Sequence, residues 1–256
     1  MLFYKKTDHD EYMIRFLFII VLVYSSFSKA YDFFNEDFKN EHVYPFLKRA
    51  VDKPSLGLIV TGAAASFATR EQDDQIRSEW KDHQKINSND SHIGDLLGTG
   101  AGSLLVMAGQ YFADEDQNNF KSHTRGFIYG GLSIYTLKTA FGRNRPGSSH
   151  SHQSFPSGHS AISFMTATNI AYAYGWPAGL VAYSIAGFVG ATRLSDDAHW
   201  FSDVVGGAFL GIWVGRASFY QQTSLQASNI KDTQEQSQFI PIISADQVGA
   251  GWVYQF

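Results

Sequence analysis

Cysteine is absent from the 256 residues. That excludes a disulfide framework, a thiolate metal site and a cysteine nucleophile, so any nucleophile comes from another side chain. Charge is sparse at 17% of residues, with a formal balance of −4, and no Lys/Arg stripe interleaved with aromatics occurs. Nucleic acid is therefore a poor partner. No His-Glu-x-x-His or Asp-rich loop pattern occurs, which leaves no expected metal site. The mostly apolar stretch 16–27 falls short of the ~20 residues needed to span a bilayer.

What is present is 44% apolar residues, enough for a folded globular or membrane-associated domain rather than a disordered chain. Lys5, Lys6 and Arg15 precede the apolar run 16–23, and Ser28-Lys29-Ala30 offers small residues for cleavage. Residues 1–30 read as a signal peptide, with a retained anchor as the alternative, so the mature protein is expected in the periplasm or cell envelope. Apolar, Gly/Ala-rich segments follow at 55–69, 94–113, 125–141, 160–174, 178–192 and 203–218. They predict an all-α bundle of about six helices over the domain 31–220. The breakers between them are the charged stretch 71–92, Asp114-Glu115-Asp116, the loop 142–158 and Gly175-Trp176-Pro177. A periplasmic or peripheral bundle is favoured over a multi-pass membrane protein, because the mean hydropathy is only −0.17. Beyond it, 221–237 reads as a polar linker and 238–256 as a β-hairpin tail. In that tail Val248, Ala250, Trp252, Tyr254 and Phe256 alternate onto one face. The ending resembles the last strand of an outer-membrane barrel, although a barrel needs about eight strands or more.

Three clusters carry chemistry. Lys138 is followed, seven residues on, by Arg145-Pro146; next comes Pro156-Ser157-Gly158-His159; last come Arg193, His199 and Asp203. In an antiparallel bundle with short connections, the end of the 125–141 helix, the start of the 160–174 helix and the region between 192 and 203 lie at one mouth. Two guanidinium groups and an ammonium supply charge-assisted donors there, and Arg matches phosphate oxygens bidentately. Ser157 and Gly158 open a helix, so a hydroxyl, backbone N–H groups and the positive helix end face the same anion. His199 and Asp203 stand four apart, which lets the carboxylate hold one ring nitrogen and free the other as a nucleophile. His159 is then placed to protonate the leaving oxygen.

These residues resemble the type 2 phosphatidic acid phosphatase and vanadium haloperoxidase superfamily, whose three-part signature is matched over 138–203. The resemblance implies a helical bundle with no metal or other cofactor for phosphate hydrolysis. Lys138, Arg145, Ser157, Gly158 and Arg193 would hold phosphate, His159 would act as acid, and His199 with Asp203 would form the nucleophilic pair. Thr192 stands where the family usually has Ser. The expected partner is a phosphorylated lipid, an isoprenoid diphosphate or a small phosphate ester, together with a membrane; the oligomeric state is open. Two other readings stand beside it: a vanadium-dependent haloperoxidase, since the same cradle holds vanadate, and a non-catalytic outer-membrane structural or assembly protein, suggested by the tail.

The remaining polar residues read more plainly. His150 and His152 are expected in a solvated loop, and Asp196 and Asp197 as helix caps, water-facing groups or supports of the loop bearing His199. Trp200 is expected in packing, and the Gly-rich run from Gly98 to Gly102 in close helix contact, since no P-loop lysine follows it.

Overall fold

A computed structural model describes residues 38–83, 86–115, 117–147 and 151–219, and the backbone of 237–244 and 247–254. The expected signal peptide, most of the linker and His150 lie outside the described residues. A compact unit ends at Pro45. It holds a π-helical turn, Lys39–Val43, with the Phe38 and His42 rings 4.9 Å apart. The following α-helices are α1 (Tyr44–Ala50), α2 (Lys53–Thr69), α3 (Asp73–His83), α4 (Ser88–Gly98), α5 (Ala101–Ala113), α6 (Asn118–Phe141), α7 (Gly158–Tyr174), α8 (Trp176–Ser195) and α9 (Phe201–Ser218). The backbones of Ser237–Ser244 and Gln247–Tyr254 pair antiparallel, with Ser237 opposite Tyr254.

Local chemistry fixes the helix ends. Asp52 accepts from Ser55 N at 2.9 Å and Pro54 stands in the first turn of α2. Asn87 caps α4 through Asp90 N, also at 2.9 Å, each satisfying a donor that the first turn leaves open. Gly142 ends α6 in the left-handed region at φ +52°, where a Cβ would be strained. The Gly175-Trp176-Pro177 break folds as expected into a tight turn between α7 and α8.

Two expected features differ. The charged stretch 71–92, read as a breaker, contains α3 and the start of α4. Its apolar content is low, but Asp73 and Asp74 open α3 at the positive end of its dipole, and its side chains make ion pairs across the bundle. The segment 94–113, read as one helix, is bent by 52° between α4 and α5. Gly100 supplies that break at φ +102°. Among the described residues no single helix is long and apolar enough to cross a membrane, although the bent α4–α5 pair is so by length and composition.

The centre of the bundle is α9 packed on α7. Met165, Val214 and Ala217 are fully buried, with Phe127, Ile162 and Trp213 against them. Gly207, Gly211 and Gly215 recur every four residues on the α9 face that meets α7. A Cβ at Gly207 would lie 2.5 Å from Ser157 O, and one at Gly215 2.6 Å from Thr168 Cβ; at Gly211 it would overlap Ala161 O. Because backbone cannot step aside as a flexible side chain can, Gly211→Ala is expected to cost about 1–3 kcal/mol and lower the melting temperature by about 2–12 °C. Gly187→Ala on α8, where a new Cβ meets nothing within 4 Å, serves as the control. It should hold or raise the melting temperature, since Ala favours helix. Equal melting shifts in the two variants would show that the α7–α9 contact is slack.

Candidate active site

The three sequence clusters meet at one end of the bundle. Ser157 N–H donates to Asp203 O at 3.0 Å, tying the start of α7 to the first turn of α9. A Cβ on Gly158 would stand 3.8 Å from Lys138 Cε, which brings the end of α6 to the same place. On the far side, α4 abuts α7 and α8 so closely that a Cβ on Gly98 would strike His159 and Val189.

His199 is 4% exposed and Asp203 wholly buried. His199 Nδ1 lies 3.7 Å from Asp203 Oδ2, an ion-pair separation, and is buried without a hydrogen-bond partner among the described residues. Asp203 also accepts from Ser154 Oγ at 2.5 Å and, reaching back as an acidic residue in the first helical turn does, from Trp200 N at 3.0 Å. Burial works against its charge, but His199, Ser154, Arg143 and the Trp200 N–H outweigh it and hold its carboxyl below the usual carboxylate range. Burial, with help from the Lys138 and Arg145 charges, keeps the His199 pKa low despite Asp203. The imidazole is therefore neutral at neutral pH, the form a nucleophile needs.

His159 lies across the mouth. Its Nε2 is 3.0 Å from Asp95 Oδ1, and the same oxygen accepts from Arg193 Nη1 at 2.6 Å. Burial and the Arg193 charge push His159 down to about 4, against the pull of Asp95. Arg193 is also held at Nη2 by Asp196, 3.0 Å away. Thr192 Oγ1 accepts from Arg193 Nε at 3.3 Å and Nη2 at 3.2 Å. The hydroxyl that marks the departure from the usual Ser thus braces this guanidinium.

Lys138 Nζ donates to Gln153 O at 2.5 Å. Its pKa falls to about 8 through burial and the Arg145 charge, with Asp203 pulling upward. Arg145 Nε is buried with no hydrogen-bond partner among the described residues, a costly arrangement unless an acceptor arrives there. The Ser157 hydroxyl is occupied as the cap of α7, accepting from Ser160 N at 3.4 Å and Ser160 Oγ at 3.0 Å. Its structural part is to hold the helix start at the mouth, where first-turn N–H groups have no partner within the helix. No group of three or more His, Asp or Glu that could hold a metal occurs among the described residues.

Four residues at this mouth have no place in the sequence signature: Asp73, Asp95, Arg143 and Arg77. Asp197 takes Arg77 Nε and Nη2 at 2.6 and 2.8 Å, so it anchors the loop before His199 instead of capping a helix. The guanidinium groups of Arg77 and Arg143 each lie over the Trp200 ring, 5.6 and 5.5 Å from its centre, and Trp200 Nε1 donates to Asn144 O at 2.9 Å. His152 is described and makes none of the site contacts above.

With this geometry in view, the comparison with known families is specific: residues 122–226 match the profile of the PAP2 superfamily. The matched segment takes in most of α6 and all of α7, α8 and α9, and it is similar to that family. The PAP2 segment spans Lys138 to Asp203 and therefore every residue of the signature. Among curated relatives, the lipid A 1-phosphatase of Porphyromonas gingivalis is 32% identical over 169 residues, which is 61% of this chain and 36% of the relative. That of Rhizobium johnstonii is 35% identical over 101 residues, 34% of this chain and 41% of the relative. The chain thus matches about two fifths of the length of these relatives. The PAP2 fold is also shared with solved structures. Aquifex aeolicus LpxE aligns with a TM-score of 0.51 at 20% identity, over 57% of this chain and 93% of its own. A transmembrane PAP2-type phosphatidylglycerolphosphate phosphatase of Bacillus subtilis aligns with a TM-score of 0.52 at 21% identity, over 64% and 92%.

Proposed function

We propose that this protein is a lipid phosphate phosphohydrolase working through a phosphohistidine. The carrying observation is that Lys138 and Arg145 lie near enough to a neutral His199 beside Asp203 for their charges to act on it, while Arg193 acts on a second histidine, His159, at the same mouth. Three cations and a helix N-terminus balance the charge of a phosphate monoester, roughly −1.5 to −2 at pH 7, and of its in-line transition state. His199 Nε2 attacks phosphorus while the bond to the leaving oxygen breaks; His159 gives that oxygen its proton. Water then attacks the phosphohistidine, His159 takes the water proton, and inorganic phosphate leaves with neutral His199 restored. Asp203 compensates the ring charge while the P–N bond exists. A bound phosphate beside Arg193 offsets the positive charge that depresses His159, which raises its pKa toward that of a working acid.

Lipid is favoured over a soluble ester by two features beyond the names of the curated relatives. Large apolar side chains are exposed along the helices, among them Val60 and Phe67 on α2, Leu105 and Phe112 on α5, Leu132 and Tyr135 on α6, and Leu180 and Val181 on α8. Exposed apolar area on this scale marks a surface made for another phase. A groove of about 580 Å³ runs between Leu97 on α4 and Leu180, Val181, Ile185 and Phe188 on α8, next to the Gly98 that touches His159. An acyl chain lying there leaves its phosphate at the mouth. In this reading the exported helical domain sits against the membrane with the mouth on the periplasmic side, and the C-terminal hairpin is an accessory to that attachment.

The test is hydrolysis of defined lipid phosphates and of p-nitrophenyl phosphate by detergent-purified protein, with EDTA and with vanadate. Turnover is expected to survive EDTA, because organic cations carry the charge work. Vanadate, which can become five-coordinate in the same cradle, should compete with substrate. Activity abolished by EDTA and restored by one particular metal would overturn the mechanism.

A further inference from the structure

The loop after α6 carries two arginines, and only Arg145 faces the phosphate cradle. Arg143 turns the other way. Its Nη1 donates to Asp203 Oδ1 at 2.6 Å and to Ser202 Oγ at 2.7 Å, and its Nη2 to Asp73 Oδ2 at 2.7 Å. Asp73, buried on α3, accepts at Oδ1 from Ser202 N at 2.8 Å and at Oδ2 from Ser202 Oγ at 2.7 Å. The Arg143 carbonyl accepts from Ser154 N at 2.9 Å, and Ser154 in turn bonds the other oxygen of Asp203.

From this closed set of bonds we infer that Arg143, fixed by Asp73, is the positioning residue of the nucleophilic pair. A fully buried carboxylate that met only a histidine 3.7 Å away would be unpaired whenever that ring is neutral, and unpaired buried charge is costly. Arg143 removes that cost by compensating Asp203 before the reaction starts. Its planar fork also settles the direction of the carboxylate: one nitrogen takes Oδ1, the other is pinned on α3, and Oδ2 is left turned toward His199. Lysine cannot make both arms of this bridge. Asp73 matters because it holds Arg143 and the first turn of α9 at once, so α3, the loop and α9 move as one piece around His199.

The inference rests on the phosphohistidine reading, and its test separates the two. The charged or titratable groups around the pair are Arg143 from the loop, Asp73 from α3 and Lys138 from α6 about Asp203, with Lys138, Arg145 from the loop and His159 from α7 about His199. Removing the Arg143 charge therefore makes Asp203 harder to ionise and His199 easier to protonate. Both effects raise the pH at which the free enzyme becomes active. Arg143→Lys, which keeps charge but loses the fork, is expected to lower kcat roughly 10–100-fold, the scale of losing a group that orients a catalytic side chain, with KM within about twofold. Arg143→Gln should also move the acid limb of kcat/KM to higher pH, and added guanidinium should restore part of its rate. Melting temperatures accompany each variant; if Arg143→Gln does not fold, the kcat and KM of Arg143→Lys decide. Wild-type kcat in Arg143→Lys, a loss confined to KM, or an unmoved acid limb in folded Arg143→Gln would overturn the positioning role. A wild-type protein that forms no phosphoenzyme would instead sink the parent reading.

Discussion

His199→Ala is expected to abolish the phosphoenzyme with every substrate and to lower kcat/KM on the order of 10⁵–10⁶-fold, the scale seen when a covalent nucleophile is removed. No other described side chain at the mouth is placed to replace it. His159 lies beside Arg193 and Asp95, and its ring has no buried carboxylate comparable to Asp203 behind it. The Lys138 ammonium, with its pKa at about 8, is mostly protonated at neutral pH and so is a poor nucleophile. The measurement is rapid-quench trapping of acid-labile, base-stable phosphoenzyme from a ³²P-labelled substrate, run beside steady-state rates. Trapped phosphohistidine in His199→Ala would reverse the assignment of the two histidines.

His159→Ala is expected to act on a different bond and so to depend on the leaving group. An alkoxide needs a proton as the P–O bond breaks, and general acid help is worth about 10²–10⁴-fold. A nitrophenolate leaves with little help, so the aryl ester should be largely spared in the first step. Comparing kcat/KM for an alkyl and an aryl phosphate in the variant reads this directly. Equal losses on both esters would remove His159 from the role of acid. The pH profile adds a second check. Asp95 opposes the downward push of burial and Arg193 on His159, so an intact Asp95 is what keeps the protonated form within reach as phosphate binds.

That the candidate site residues meet at one end of the bundle is legible in the sequence because they are concentrated in three short segments at fixed spacings. Lys138 and Arg145 flank a helix end, Ser157 to His159 open the next helix, and Arg193, His199 and Asp203 bracket the turn between α8 and α9. Helix hairpins of similar length bring such segments to one end without further information. Their supports were not legible in the same way. Asp73 and Arg77 fall in a stretch whose charge reads as an interruption between helices, and Asp95 falls within what reads as one longer apolar segment. A carboxylate 130 residues from Asp203 has no periodic pattern linking it to that partner; only the packing of α3 and α4 against the mouth does so. Arg143 was overlooked for a subtler reason. It is two residues from Arg145, and the spacing alone does not tell which of the two guanidinium groups turns to Asp203. The 52° bend between α4 and α5 was signalled by Gly100, but the same glycine-rich run also fits uninterrupted close packing.

The glycine seam between α7 and α9 works as a length standard for the chemistry. His159 sits in the first turn of α7, and His199 stands just before α9. Backbone meets side chain or backbone at Gly207, Gly211 and Gly215 with no compressible layer between, so neither helix can slide along the other by a fraction of a turn. On the opposite wall α4 and α8 also close at glycines, since a Cβ on Gly94 would strike Thr192 and one on Gly98 would strike Val189, but the groove beside that contact is lined by larger side chains. An experimenter seeking to redirect this scaffold toward a different alcohol should randomise Leu97, Val181, Ile185 and Phe188 and leave the seam untouched.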